Sequence, residues 1–181
     1  MPATPSRNVL TRRAAFVAVA LGLAAASLMA TESRAGSTPE AGKATGTLTV
    51  NGKSTPVAYA YAQSVPGFAD PNTPDVQVIL SDVPLDAKAL ADEFARIDLA
   101  KQGKLHAFEI TIDASGAPVS TAWRHDGFNG PMPSGLSSDD VFTKKTFDGR
   151  TVEASYKSAP NDEFFGNTYG FDVTFSAPIA H

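Results

Sequence analysis

The sequence contains no cysteine, and this absence excludes several kinds of chemistry at once. Disulfide bonds, thiolate metal sites and thiol nucleophiles are all ruled out. Stability must come from burial of apolar side chains, for which a chain of 181 residues is long enough. The three histidines are not spaced like zinc ligands. His106 alternates in step with the apolar residues of its predicted strand, so it is expected to face inward as a structural histidine. The sequence therefore predicts no metal site and no cofactor.

Positive charge is sparse and is not clustered. The net charge is −4, and the longest basic run after the amino-terminal segment is Lys144-Lys145. Binding to nucleic acid needs dense lysine and arginine to neutralise phosphates, so no nucleic-acid partner is predicted. The common nucleophile and phosphate-loop motifs are also missing. Gly52-Lys53-Ser54 matches part of a phosphate loop, but it leaves a predicted turn and enters a strand rather than a helix.

Long apolar runs are missing as well. The uncharged apolar run at residues 14–30 has 17 residues and is rich in alanine, which is weak for a membrane span. Basic residues precede this run and small residues follow it around Ala35, the layout of a secretory signal peptide over residues 1–35. Arg12-Arg13 also suits a signal of the twin-arginine type. The sequence predicts a periplasmic or secreted protein with no stable membrane insertion after cleavage.

The remainder of the chain, residues 36–181, is interpreted as one domain with a short leading segment. Residues 36–43 are polar and predict a flexible tether, and residues 44–181 form a single β-rich domain. Asn51-Gly52 stands between two runs of alternating apolar and polar residues. This pair predicts a β-hairpin with a type I′ turn, because both of its residues adopt positive φ at little steric cost.

Alternation of apolar and polar residues continues along most of this domain. Residues 76–80 are apolar at four of five positions, which predicts a central strand that is covered on both faces. Asp148-Gly149 marks a second hairpin, and the strand that ends near Phe175 alternates most regularly. These patterns predict a mostly β fold: a single-domain antiparallel β-sandwich, or a barrel, of about eight strands with one inserted α-helix.

The inserted helix is predicted near residues 83–102. Asp82 stands at its start, where a carboxylate can accept hydrogen bonds from free backbone amides. Leu90, Phe94 and Ile97 follow the spacing of an amphipathic helix. We therefore expect these three side chains to face the sheet.

One loop combines several side chains that can bind or react. This segment, 123–130, follows a predicted strand and contributes Trp123, Arg124, His125, Asp126, Phe128 and Asn129. His125 could serve as a general base oriented by Asp126, or the two aromatic rings could stack on a sugar or aromatic ligand. In the structural alternative Trp123 belongs to the core, and His125 and Asp126 point apart because neighbours on an extended chain do so.

Three phenylalanines occur in polar loops, where core packing does not explain them. They are Phe68, Phe164 and Phe165. Exposed aromatic side chains suit contact with an apolar molecule, a glycan or a protein. We predict that they contribute a second binding surface.

Three functions are compatible with the sequence. The leading hypothesis is an exported, non-catalytic binding or interaction module of the bacterial-type periplasm or extracellular space, with a protein, a glycan or a small apolar ligand as partner. The first alternative is a hydrolase whose residues converge in space around His125 and Asp126. The second is a carrier that encloses a small apolar ligand among its strands. The lack of any catalytic motif favours the first of these.

Overall fold

The computed structural model of the protein describes residues 39–159 and 162–181. The predicted signal peptide lies outside the described residues, and so does the start of the segment 36–43. The first strand begins at Gly42, so the last two residues of that segment belong to the sheet. Within the described ranges, no helix has the length and apolar character needed to cross a membrane.

The described residues form ten β-strands and two short α-helices. The helices, α1 (Ala87–Ala91) and α2 (Glu93–Lys101), both lie between the fourth and fifth strands. In chain order the strands are β1 (Gly42–Val50), β2 (Lys53–Pro56), β3 (Tyr59–Val65), β4 (Asp75–Ser81), β5 (Ala107–Ile112), β6 (Pro118–Arg124), β7 (Val141–Phe147), β8 (Thr151–Lys157), β9 (Asp162–Phe164) and β10 (Asn167–Ala180).

Eight of these strands follow one another across a single sheet in the order β6-β5-β4-β3-β1-β10-β8-β7. The short strands β2 and β9 pair with β1 and β10. Neighbours are antiparallel, except that the end of β10 pairs in parallel with β3 where the sheet curls. The sheet thus forms a half-barrel, which confirms the predicted mostly β, single-domain antiparallel fold of sandwich or barrel type.

The turn between β1 and β2 has the predicted form. Asn51 and Gly52 have φ angles of 51° and 78°, and the two strands pair directly on either side of them. Two consecutive positive φ angles in a two-residue hairpin loop define a type I′ turn, whose twist matches that of the flanking strands. This prediction is confirmed.

The inner face of the curved sheet carries the main hydrophobic core. Trp123 is 2% exposed there, and its ring centroid lies 5.3 Å from that of Phe108 and 6.1 Å from that of Phe171. On β4, Val78 belongs to this core, while Ile79 belongs to a second cluster beneath the helices. The prediction that this strand is covered on both faces is therefore confirmed.

The helical region differs from its prediction. Two short helices replace the single helix expected near 83–102, and they are separated at Asp92, whose carboxylate accepts a hydrogen bond from the Phe94 amide and caps α2. The break changes which residues face the sheet, so Phe94 is 75% exposed and Arg96 is 2% exposed. The predicted apolar stripe is wrong at Phe94, because it assumed one continuous helix.

A buried ionic network joins α2 to the outer face of the sheet. Arg96 donates to the Glu109 carboxylate through Nε at 2.8 Å and Nη2 at 3.2 Å. Arg124 donates to the same carboxylate through Nη2 at 3.3 Å, and its Nε lies 2.9 Å from Glu109 Oε1 without hydrogen-bond alignment. Its Nη2 also donates to Glu93 at 2.6 Å. Buried charges are unfavourable unless they are paired, so this network determines how α2 docks on the sheet.

Candidate binding site at one end of the sheet

The hairpin of β5 and β6 brings two histidines together at its open end. Ala107 pairs with Arg124, so the next residues outward, His106 and His125, face each other. Their ring centroids are 4.4 Å apart. Spacing along the chain gave no sign of this pair. The register of the two strands about the turn at 113–117 is the signal that would have predicted the contact.

Two aspartates hold His106 from opposite sides. Its Nδ1 lies 2.6 Å from Asp82 Oδ2, and its Nε2 lies 2.9 Å from Asp126 Oδ1. A neutral imidazole has one N–H, so the ring donates to both carboxylates only when both of its nitrogens carry protons. The prediction that Asp82 caps the helix is wrong, because Asp86 caps α1. Instead, Asp82 positions His106.

His125 packs against His106 and is closed off from solvent, with a side chain that is 0% exposed. The Gly127 amide donates to its Nδ1 at 2.9 Å. Since an amide can only donate, Nδ1 carries the lone pair and the proton of the neutral ring is on Nε2, which lies 3.3 Å from Thr55 Oγ1. Burial lowers the pKa of His125 to about 4, and the nearby charge of His106 adds to this decrease.

Asp126 is the exposed member of the cluster. Its side chain is 40% exposed, and its Oδ1 lies 3.5 Å from His125 Nδ1. Partial burial acts to raise its pKa, but the hydrogen bond and charge of His106, together with the charges of His125 and Lys53, outweigh burial, and the pKa is lowered. The carboxylate is therefore ionised at neutral pH and accessible from solvent.

We expect the protein to lose stability as the pH falls from 6.5 towards about 4, because of His125. In this window the unfolded chain takes up a proton on the ring and the folded chain does not, so protons bind preferentially to the unfolded state. Urea unfolding at a series of pH values should show a loss on the order of 2 kcal/mol that is missing in His125→Gln. Titration of the His125 ring near pH 6.5 in the folded protein, followed by NMR, would contradict this expectation.

Three other residues of the predicted site do not join the cluster. Trp123 and Phe128 are buried, and their ring centroids lie 5.5 Å apart in the core. Neither ring is placed to stack on a ligand from solvent. Arg124 points to the other side of the sheet, where it pairs with Glu109.

Asn129 and its partners hold the loop after β6 in place. Its backbone N–H donates to Asn167 Oδ1 at 3.0 Å, and the Asn51 amide group donates to the same oxygen at 3.0 Å. The Asn51 amide group also donates to the Gly127 carbonyl at 3.0 Å. Asn167 is 1% exposed, so the two bonds to its oxygen are partly shielded from water, whereas the bond from Asn51 to Gly127 is exposed. They fix the backbone that carries His125 and Asp126.

The phenylalanines of the predicted second surface occupy two separate places. Phe68 follows the carboxyl end of β3, whereas Phe164 ends β9 and Phe165 lies in the turn that leads into the amino end of β10. Because β3 and β10 are parallel where they pair, these positions lie at opposite ends of the sheet. Phe68 is 88% exposed. Phe165 is 76% exposed and has a φ of 48°, a value that residues other than glycine rarely adopt.

His106, His125 and Asp126 could together hold a metal ion. Each offers one ligand atom, and these atoms all lie within 4.8 Å of one another. Two imidazoles and a carboxylate form a donor set that zinc and related transition metals use in proteins. The spacing of these residues in the sequence predicted no such site. It arises because the strand register and the loop after β6 bring the three groups together.

No family model matches this sequence, and no curated protein or solved structure matches it either. The geometry of the cluster is therefore the basis for assigning a function.

Proposed function

We propose that the protein is an exported, non-catalytic binding module that holds a small cationic ligand at His106 and Asp126. The main support is the pair of carboxylates, from Asp82 and Asp126, on either side of one imidazole. The Asp126 carboxylate is kept ionised by its neighbours, Lys53 among them, so it offers an exposed negative charge to a cation. Asp126 faces solvent, so a ligand can reach it without any rearrangement of the core.

The contacts of His125 argue against a hydrolase. A general base accepts the proton of the nucleophile on its lone pair. In His125 the lone pair is on Nδ1 and faces the Gly127 amide, while the N–H of Nε2 faces the Thr55 hydroxyl. His125 therefore cannot activate Thr55, and its ring has no contact with solvent. These contacts favour binding over catalysis.

The interior gives no support to a carrier of small apolar ligands. Such a carrier needs an enclosed apolar cavity. On the inner face of the sheet, the ring centroids of Phe108 and Phe171 lie 4.3 Å apart within the packed core. A groove of about 470 Å³ lies on the outer side of β1, β8 and β10, where Thr47, Thr49 and Lys157 contribute to its lining. This groove opens to solvent and does not enclose a ligand.

Expression of the full chain in a bacterial host, without a polyhistidine tag, tests this function. We expect the protein in the periplasm with its amino terminus at Gly36, as the signal peptide predicts. We also expect at least one of four probes, Zn²⁺, Ca²⁺, choline and putrescine, to raise its melting temperature, since a ligand that binds the native state stabilises it.

Matched variants show whether a stabilising probe acts at the cluster. Asp126→Asn removes the exposed charge and should abolish the rise in melting temperature. Asp98→Asn removes an exposed charge from α2, away from the cluster, and should retain the rise in melting temperature. A wild-type protein that no probe stabilises, or equal stabilisation of wild type and Asp126→Asn, would contradict binding at this site. Retention in the cytoplasm with an intact amino terminus would contradict export.

A further inference from the structure

We infer that the cation bound here is a transition-metal ion of the zinc type, held by His106 Nε2, His125 Nδ1 and Asp126 Oδ1, an assignment that rests on the proposed function. The two nitrogens lie 2.9 Å and 3.5 Å from the carboxylate oxygen. Ligands of a tetrahedral zinc ion, each about 2.1 Å from the metal, lie roughly 3.4 Å from one another. Small side-chain movements are therefore enough to bring the three atoms around one ion.

Each histidine already has a hydrogen-bond partner on its other nitrogen, as metal-binding imidazoles usually do. Asp82 lies 2.6 Å from His106 Nδ1 and leaves Nε2 directed at Asp126. Thr55 Oγ1 lies 3.3 Å from His125 Nε2 and leaves the lone pair on Nδ1. These partners set the orientation of both rings and leave His106 Nε2 and His125 Nδ1 as the two nitrogens close to Asp126.

Metal binding replaces two contacts of the metal-free cluster. The ion takes the place of the hydrogen bond between His106 Nε2 and Asp126 Oδ1, and a proton held there would be released. At His125 Nδ1 the ion takes the place of the Gly127 amide, which now donates to it at 2.9 Å. Gly127 lies in the loop after β6, next to the exposed Asp126, so a water molecule can become the new partner of its amide.

The donor types select among cations. Imidazole nitrogen together with carboxylate oxygen suits Zn²⁺, Cu²⁺ and Ni²⁺, whereas Ca²⁺ and Mg²⁺ prefer oxygen ligands alone. Three protein ligands leave one position of a four-coordinate ion open. Since Asp126 is the exposed ligand, we expect the open position to be on its solvent side. The site would therefore present its metal ion to an outside molecule.

Calorimetric titration with Zn²⁺ tests the assignment on the exported protein, purified without a polyhistidine tag and freed of metal with a chelator. We expect one Zn²⁺ per chain. His106→Asn should weaken binding at least about 100-fold, and Asp82→Asn about 10- to 100-fold, because Asp82 orients a ligand without being one. His181→Asn changes a histidine outside the cluster, one that contacts the Gly149 carbonyl, and should leave binding unchanged.

Co²⁺ provides a second readout that does not depend on affinity alone. We expect wild type to give the visible absorption of tetrahedral Co²⁺, and both His106→Asn and Asp126→Asn to lose it. Asp126 is 40% exposed, so its variant should fold even if His106→Asn does not, and circular dichroism would verify this. Equal Zn²⁺ binding by wild type and these variants would overturn the assignment, as would no binding at millimolar Zn²⁺.

Failure of the metal assignment differs visibly from failure of the proposed function. If Zn²⁺ does not bind, but choline or putrescine stabilises wild type and not Asp126→Asn, the ligand is an organic cation and the proposed function stands. If none of the cations acts through Asp126, the metal assignment and the proposed function are both wrong.

Discussion

Replacing Glu109 with alanine is expected to lower the free energy of unfolding by about 3–5 kcal/mol. The side chains of Arg96 and Arg124 are 2% and 6% exposed, and both contact the Glu109 carboxylate. Without it, Arg124 would still pair with Glu93, but Arg96 would keep only its hydrogen bonds to backbone carbonyls of α1. A guanidinium charge would then be buried without a counter-charge, which is the main source of the expected loss.

Urea unfolding followed by the fluorescence of Trp123, the sole tryptophan, would measure this loss. Glu93→Ala is the matched control, because this 58% exposed partner of Arg124 should contribute less than about 1 kcal/mol. The double variant Arg96→Met, Glu109→Leu should lose less stability than Glu109→Ala, since it removes the buried charge of Arg96 as well. Losses of equal size in Glu109→Ala and Glu93→Ala would contradict the proposed importance of the buried carboxylate.

Trp123→Ala is also expected to have a large effect, lowering the free energy of unfolding by about 3–5 kcal/mol. The ring is 2% exposed, and its centroid lies 5.3 Å from that of Phe108 and 5.5 Å from those of Phe128 and Tyr169. Removing it loses the transfer free energy of a large apolar side chain and leaves a cavity among rings that cannot fully collapse into it.

Far-UV circular dichroism would follow unfolding here, because the variant has no tryptophan. Phe68→Ala provides the control: this side chain is 88% exposed, so its removal should change stability by no more than about 0.5 kcal/mol. Trp123→Phe keeps a buried aromatic ring and should lose less stability than Trp123→Ala. A loss in Trp123→Ala as small as that in Phe68→Ala would show that the core repacks around the missing ring.

The proposed site lies where the packed sheet meets solvent. His125 is held by the loop that Asn129 and Asn167 fix, and His106 is held by Asp82. Asp126 alone is substantially exposed. The proposed function is still binding, as expected from the sequence, but with a different class of ligand. We propose a cation rather than an apolar molecule, glycan or protein, because the aromatic side chains expected to contact such partners are buried or dispersed.

Features that depend on a few neighbouring residues could be predicted from the sequence. The Asn51-Gly52 turn formed as expected, because the preference for positive φ is a property of the two residues themselves. The burial of both faces of β4 also followed from its composition, since a strand exposed on one face would alternate. The same local rules led to the mostly β fold class.

Only the tertiary structure decided which distant side chains meet. His106 and His125 form a pair because of the register of β5 and β6, and a shift of one residue would have separated them. Arg96 is buried because α2 begins anew at Asp92 and because Glu109 lies on the strand beneath it. Turn and strand preferences act within a few residues, whereas a binding site is set by register, curvature and helix docking, which depend on the whole chain.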